Sequence, residues 1–170
     1  DTVYGVLCNA TNEHAVQKVF ELKKRPQEKA LPIFVSDIAM ARRFAYISDA
    51  KAKFLERVWP GAVTILFDHK EKLPPVLTGG STKMGIRIPN SSFLRGLLSR
   101  GDFPLAQTSA NISGSPPAKT VEEIQGYFTD VSCQPDLIIG GGVGQENPSA
   151  IIDFTGSKPL IVRMGMITKR

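Results

Sequence analysis

Two stretches carry residue types that could hold an anionic ligand. Lys23-Lys24-Arg25-Pro26 closes an amphipathic run, and its ammonium and guanidinium groups are phosphate-binding chemistry. Thr108-Ser109-Ala110-Asn111 follows another apolar run far downstream and offers a hydroxyl and an amide at a strand end. Together they suggest a pocket for a polyanion plus a small polar ligand. Arg87 and Arg163 extend the pattern, because each stands in a short apolar, strand-like run. Alternation puts Arg87 on the face opposite Ile86 and Ile88. A buried arginine needs a carboxylate or an anion beside it. Two strand arginines with Lys23 and Arg25 point to a shared phosphate site. Plainer readings stand beside this one. Cations at a helix exit complement its dipole, strand arginines form structural ion pairs, and Ser109 and Asn111 are common turn formers.

The elements that must position these groups can be traced along the chain. Val3 to Leu7 reads as a strand, and Thr11-Asn12 caps a helix that Pro26 stops. Leu31 to Val35 reads as a strand. Ser36-Asp37 and Ser48-Asp49 cap two helices, the second ended by Trp59-Pro60-Gly61. Ala62 to Phe67 and Met84 to Ile88 read as strands around a loop-rich stretch, Leu73 to Ser81. Pro89 to Ser92 turns the chain into a helix that Gly101 ends, and Pro104 to Gln107 reads as a strand. Thr120-Val121-Glu122-Glu123 is a capping box. Leu137 to Ile139 reads as a buried strand, and Ala150 to Phe154 and Leu160 to Arg163 as two more. Strands and helices alternate with uneven connections, which predicts a mixed sheet with packed helices.

Composition narrows the function classes. The chain has 170 residues, one domain's worth, with 42% hydrophobic and 22% charged residues. No apolar run is long enough to cross a bilayer, so no membrane partner is expected. Lys and Arg total 21 against 16 acids, a formal charge of +5. That balance fits a phosphate ligand, with RNA as the weaker option, since no long basic block occurs. Cys8 and Cys133 lack metal-ligand spacing and read as reduced thiols in a cytoplasmic protein, while His14 and His69 are isolated. No Ser-His-Asp or Cys-His set and no metal site is expected. Gly140 to Gly144 could cradle phosphate but lacks the pattern of a P-loop and reads better as a turn between strands, while Gly79 to Lys83, which also lacks it, reads equally as a mobile loop near a ligand or a plain connection.

Several short motifs occur in order: Asp1-Thr2-Val3-Tyr4-Gly5, Lys23-x-Arg25-Pro26, Trp59-Pro60-Gly61-x-Val63-Thr64, Arg87-x-Pro89, Ser109-Ala110-Asn111-x-Ser113-Gly114, Pro148-Ser149-Ala150-Ile151-Ile152-Asp153 and Val162-Arg163-x-Gly165. The combination resembles the YrdC/TsaC family, the L-threonylcarbamoyladenylate synthases, over essentially the whole chain. The resemblance implies an α/β (α+β) fold, a twisted mixed sheet with helices packed around a large, positively charged cavity. It implies that ATP, L-threonine and bicarbonate give threonylcarbamoyl-AMP and pyrophosphate, with Mg2+ accompanying ATP and no protein nucleophile. A tRNA-modifying threonylcarbamoyl transferase complex would be the partner that uses the product. By similarity, Lys23, Arg25 and Arg163 hold the ATP phosphates, and Gln107, Asn111 and Pro117 lie near the nucleotide. Thr2, Arg87, Ser109 and Ser149 hold the threonine or its carbamate.

Relatives carry a strand and a Pro-Thr pair before the stretch matching residues 1–5, so the expectation is one domain over 1–170 lacking that strand. The long C-terminal extra domain of some relatives is likewise not expected. Phe34 stands where many relatives have histidine, Ala150 where threonine is usual, and Lys83 where some have threonine. The competing functions are an RNA-binding module for tRNA or double-stranded RNA in ribosome maturation, a paralogue with altered activity, and the carbamoyl-adenylating domain of hydrogenase-maturation enzymes.

Overall fold

In the computed structural model, which describes residues 2–144 and 148–165, side-chain caps start the helices where the sequence places them. Asn12 caps α1 (Glu13–Lys23), Asp37 caps α2 (Ile38–Phe44) and Ser48 caps α3 (Asp49–Val58). Ser91 caps α5 (Ser92–Gly101) and Thr120 caps α6 (Val121–Phe128). Each cap side chain accepts a backbone N–H that the first turn leaves unpaired. A one-turn helix, α4 (Pro75–Thr78), interrupts the stretch that reads as loop. The chain leaves α1 through Lys24, at φ 50, and leaves α5 through Asp102, at φ 49. Gly101 is thus the last helical residue, one position before the left-handed cap.

The strands are β1 (Gly5–Asn9), β2 (Ile33–Phe34), β3 (Val63–Asp68), β4 (Lys83–Arg87), β5 (Leu105–Ser109), β6 (Ala150–Asp153) and β7 (Leu160–Arg163). They form one sheet in the order β1-β5-β2-β4-β3-β6-β7, with β2–β4 and β3–β6 parallel and the other pairs antiparallel. The expected mixed α/β sheet is present. β2 is shorter than the run Leu31 to Val35 because Pro32 has no N–H for a ladder. Its carbonyl accepts the Gln107 N–H at 2.9 Å. β1 begins two residues later than expected. Leu137 to Ile139 forms no strand: Leu137 is 75% exposed and Ile139 57%, while Ile138 alone packs inward. Ile138 packs against the cluster that includes Ile124 and Phe128 of α6, and the three residues pair with no strand of the described sheet.

Register divides the sheet into two chemically distinct faces. One face is the row Cys8, Ala106, Ile33, Ile86, Ile65, Ile152, built from successive strand partners. It packs against Val16, Val19 and Phe20 of α1, Met40 and Phe44 of α2 and Leu55 of α3 to make the main core. On the opposite face, one apolar patch of Phe34 and Leu105 meets Leu98 of α5. Beside apolar Leu7, Leu66 and Ile151, that face also carries Gln107, Ser109, Arg87 and Thr64, which alternate with the apolar row, and Arg163, brought opposite Ile151 by the register shift between Ile151 and Ile152. The sheet therefore buries one side and aligns polar groups on the other.

Candidate functional site

Lys23 is the last residue of α1, and only 1% of it is exposed. Its Nζ donates to the Ser109 carbonyl, to the Asn111 carbonyl at 2.8 Å and to Asn111 Oδ1 at 2.6 Å. The three N–H groups of the ammonium thus meet three acceptors. Ser109 Oγ also donates to Asn111 Oδ1, at 2.7 Å, and Asn111 Nδ2 donates to the Ser115 carbonyl. Backbone bonds complete the clasp, from Ser113 N to the Lys23 carbonyl and from Ala118 N to the Ala110 carbonyl. Pro117 lies within this loop. Burial, then the like charge of Arg25, pushes Lys23 down to about 8, which leaves it charged at neutral pH. Arg25 points onto its own turn, donating from Nε to the Lys29 carbonyl and from Nη2 to the Ala30 carbonyl, both at 2.9 Å. Burial lowers its pKa.

Arg87 closes β4 at 2% exposure. Its Nε donates to the Gly61 carbonyl at 2.7 Å, and its Nη1 reaches Thr2 Oγ1 at 3.5 Å. Burial pushes it down to about 10, so the guanidinium stays charged at neutral pH. Neighbouring strand ends hold a third group. Ser149 Oγ lies 3.0 Å from Thr64 Oγ1, and Arg163 donates to the Ser149 carbonyl from Nη2 at 2.8 Å and from Nε at 3.1 Å. Gly165 makes this approach feasible, since a Cβ there would come within 2.2 Å of Ala150 N and 2.4 Å of the Ser149 carbonyl carbon.

The candidate residues therefore form three local groups: Lys23 with Ser109 and Asn111, Arg87 with Thr2, and Ser149 with Arg163. A cavity of about 540 Å³ opens beside the first two and is lined by Thr2, Gln107 and Ser109 together with many apolar side chains, Phe34 and Leu94 among them. Lys23, Arg25, Arg87 and Arg163 are not in its lining. Their head groups meet protein oxygens instead: Lys23 those of Ser109 and Asn111, Arg25 the carbonyls of its own turn, Arg87 the Gly61 carbonyl and Thr2 hydroxyl, and Arg163 the Ser149 carbonyl. Lys18, which does line it, is paired with Asp136 at 2.6 Å. Asp1, the first residue of its motif, lies outside the described residues. Among the described residues no group of three or more His, Cys, Asp or Glu side chains is placed to hold a metal ion. No helix of the described residues is long and apolar enough to cross a membrane.

Some contributing groups had no assigned role in the sequence. Thr64 pairs with Ser149 from 85 residues away. Tyr4 accepts from Gly141 N at 2.9 Å and donates to the Gly142 carbonyl at 2.5 Å, tying the glycine run to β1. Ser113 Oγ is buried without a hydrogen-bond partner beside the Lys23 clasp. All three stand inside the quoted motifs or next to them, which was the available signal.

The sequence and the fold place the chain in a known class. The family model Sua5/YciO/YrdC, described as "Telomere recombination", matches residues 1–165, and the chain belongs to that family. A Methanocaldococcus jannaschii relative is 36% identical over 168 residues, 98% of this chain and 77% of its own. A Klebsiella pneumoniae protein named threonylcarbamoyl-AMP synthase is 32% identical over 156 residues, 90% of this chain and 80% of its own. The solved structure of Pyrococcus abyssi Sua5 complexed with L-threonine matches 96% of this chain and 48% of its own, at TM-score 0.85 and 32% identity.

Proposed function

We propose that the chain is an L-threonylcarbamoyl-AMP synthase. The observation that supports this most is the alignment of Ser109, Arg87 and Arg163 on one sheet face, in a chain of this family. The amine of L-threonine and bicarbonate combine to a carbamate, with loss of water. A carbamate oxygen then attacks the α-phosphorus of ATP, the bond to the β-phosphate breaks, and pyrophosphate leaves. Neither step needs a protein nucleophile. Positioning and neutralisation of charge lower the barrier.

In this reading Arg87, Thr2, Ser109 and Ser149 hold the threonine or its carbamate. Lys23, Arg25 and Arg163 neutralise the triphosphate, and Gln107, Asn111 and Pro117 border the nucleotide. The donor set suits this division, because cations and hydroxyls bind phosphate and carboxylate oxygens well. Mg2+ bound to the phosphates of ATP would supply further neutralisation of charge on the leaving pyrophosphate, beside Lys23, Arg25 and Arg163. The product passes to a threonylcarbamoyl transferase complex that modifies tRNA.

Pyrophosphate release from ATP tests the reading. Release that requires L-threonine and bicarbonate together supports it. Release indifferent to threonine contradicts it.

A further inference from the structure

Phe34 is a register partner of Arg87 on β4 and of Leu105 on β5. Register partners project to the same face of a sheet. The Arg87 Cζ lies over the Phe34 ring, 5.6 Å from its centroid. The ring is itself fixed, at 6% exposure, between Leu98 of α5 and Leu105. Arg87 is thus held on three sides: the ring face below, the Gly61 carbonyl at Nε and the Thr2 hydroxyl near Nη1. A buried guanidinium gains from the negative face of an aromatic ring, which also takes no N–H bond from it. Phe34 and Thr2 both line the cavity beside the site.

We propose that Phe34 is a positioning residue, whose ring face aims the Arg87 guanidinium at the carboxylate or carbamate of the amino-acid substrate. The inference rests on the proposed synthase reading. Because Arg87 is assigned to the threonine side in that reading, the effect expected of Phe34 through Arg87 is on threonine rather than on ATP. Burial lowers the Arg87 pKa, and the ring offsets part of that cost to the charged form.

The test replaces Phe34 in the full chain with mono-, di- and trifluorophenylalanine, which weaken the ring's quadrupole with little change of shape, and adds Phe34→Leu. Pyrophosphate release gives KM for threonine, KM for ATP and kcat. Arginine side-chain NMR, with the Arg87 Nε–H signal assigned by its loss in Arg87→Lys, reports the contact independently of activity. The expected result is a stepwise rise in KM for threonine, reaching about threefold or more, consistent with the loss of a modest cation–π contact. KM for ATP and kcat stay within about twofold on the same argument, and the Arg87 signal moves in Phe34→Leu. A flat threonine KM across the series overturns the proposal, as does a parallel rise in both KM values. Absence of threonine-dependent release from the unmodified chain instead defeats the synthase reading. The Arg87 signal then decides: if it is unmoved in Phe34→Leu, Phe34 does not position Arg87, and if it moves, the pairing stands.

Discussion

Lys23 engages all three of its N–H groups inside the protein, whereas Arg25 rests on the exposed turn that follows. The two cations of one motif should therefore respond differently to removal. Lys23→Ala leaves three acceptors without their donor and should cost about 2–4 kcal/mol of stability, in the range for breaking a buried polar network. Arg25→Ala should cost about 1 kcal/mol or less. Both should slow pyrophosphate release by at least about tenfold, Arg25→Ala by losing a charge-assisted phosphate contact and Lys23→Ala by removing a buried positive charge and the clasp that holds Ser109 and Asn111. Thermal melts and turnover of the two variants check this, and unchanged turnover in both would contradict the site assignment.

The pH dependence of Lys23 has opposite signs for binding and for stability. Its folded-state pKa, about 8, lies below the usual 10.5. Between these values the unfolded chain binds more protons, so the contribution of Lys23 to stability rises with pH through that window. Its charge is lost over the same range, so ATP affinity should fall from pH 7 toward pH 9. Nucleotide titrations should show the fall in the native chain and a flatter profile in Lys23→Gln. Equal slopes in the two would separate Lys23 from the nucleotide. None of this was legible in residue spacing, because Lys23 meets its partners 86 and 88 residues away. By spacing alone Ser109 to Asn111 is a turn. The motif resemblance grouped those residues, and the structure supplies their bonds.

At the scale of elements, helices were legible wherever a Ser, Thr, Asp or Asn stood before an amphipathic run. Such caps act locally, so no tertiary knowledge is needed to read them. Strands were less so. Leu137 to Ile139 has a strand's composition, yet composition does not fix pairing, and the segment packs one side chain, Ile138, near α6 instead. Register, which no local pattern records, is what turns Arg87, Thr64 and Arg163 toward one face. The close approach at Gly165 makes this testable: Gly165→Ala should push the end of β7 from Ser149, loosening the Arg163 contacts and raising KM for ATP. A KM unchanged in a folded Gly165→Ala chain would remove Arg163 from the phosphate site. On β6, burial opposes ionisation of Asp153, but hydrogen bonds from Lys83 and Thr155 outweigh it and hold the carboxyl at about 2. Its stabilising effect is present above the ordinary 3.8 and is lost as pH falls through about 2. Asp153→Asn should therefore flatten the acid side of the stability profile between these values, as urea melts across that range would show.

Across the whole molecule, one sheet serves two purposes. Its apolar face and helices α1 to α3 make the core, and its other face and strand ends carry the cations and hydroxyls. The positive charge of +5 is consistent with a phosphate-bearing ligand, which in the proposed function is ATP. The wall of the large cavity is the part least foreseen, since its apolar character comes from Phe34, Leu94 and other residues far apart in the chain. In the proposed function these polar groups help join a bicarbonate-derived carbon to threonine and to AMP. Incubation with carbon-13-labelled bicarbonate, L-threonine and ATP, followed by mass spectrometry, measures that directly. The expected product is an AMP conjugate of threonine carrying the label, formed together with pyrophosphate. Unlabelled AMP or ADP as the only nucleotide product would contradict it.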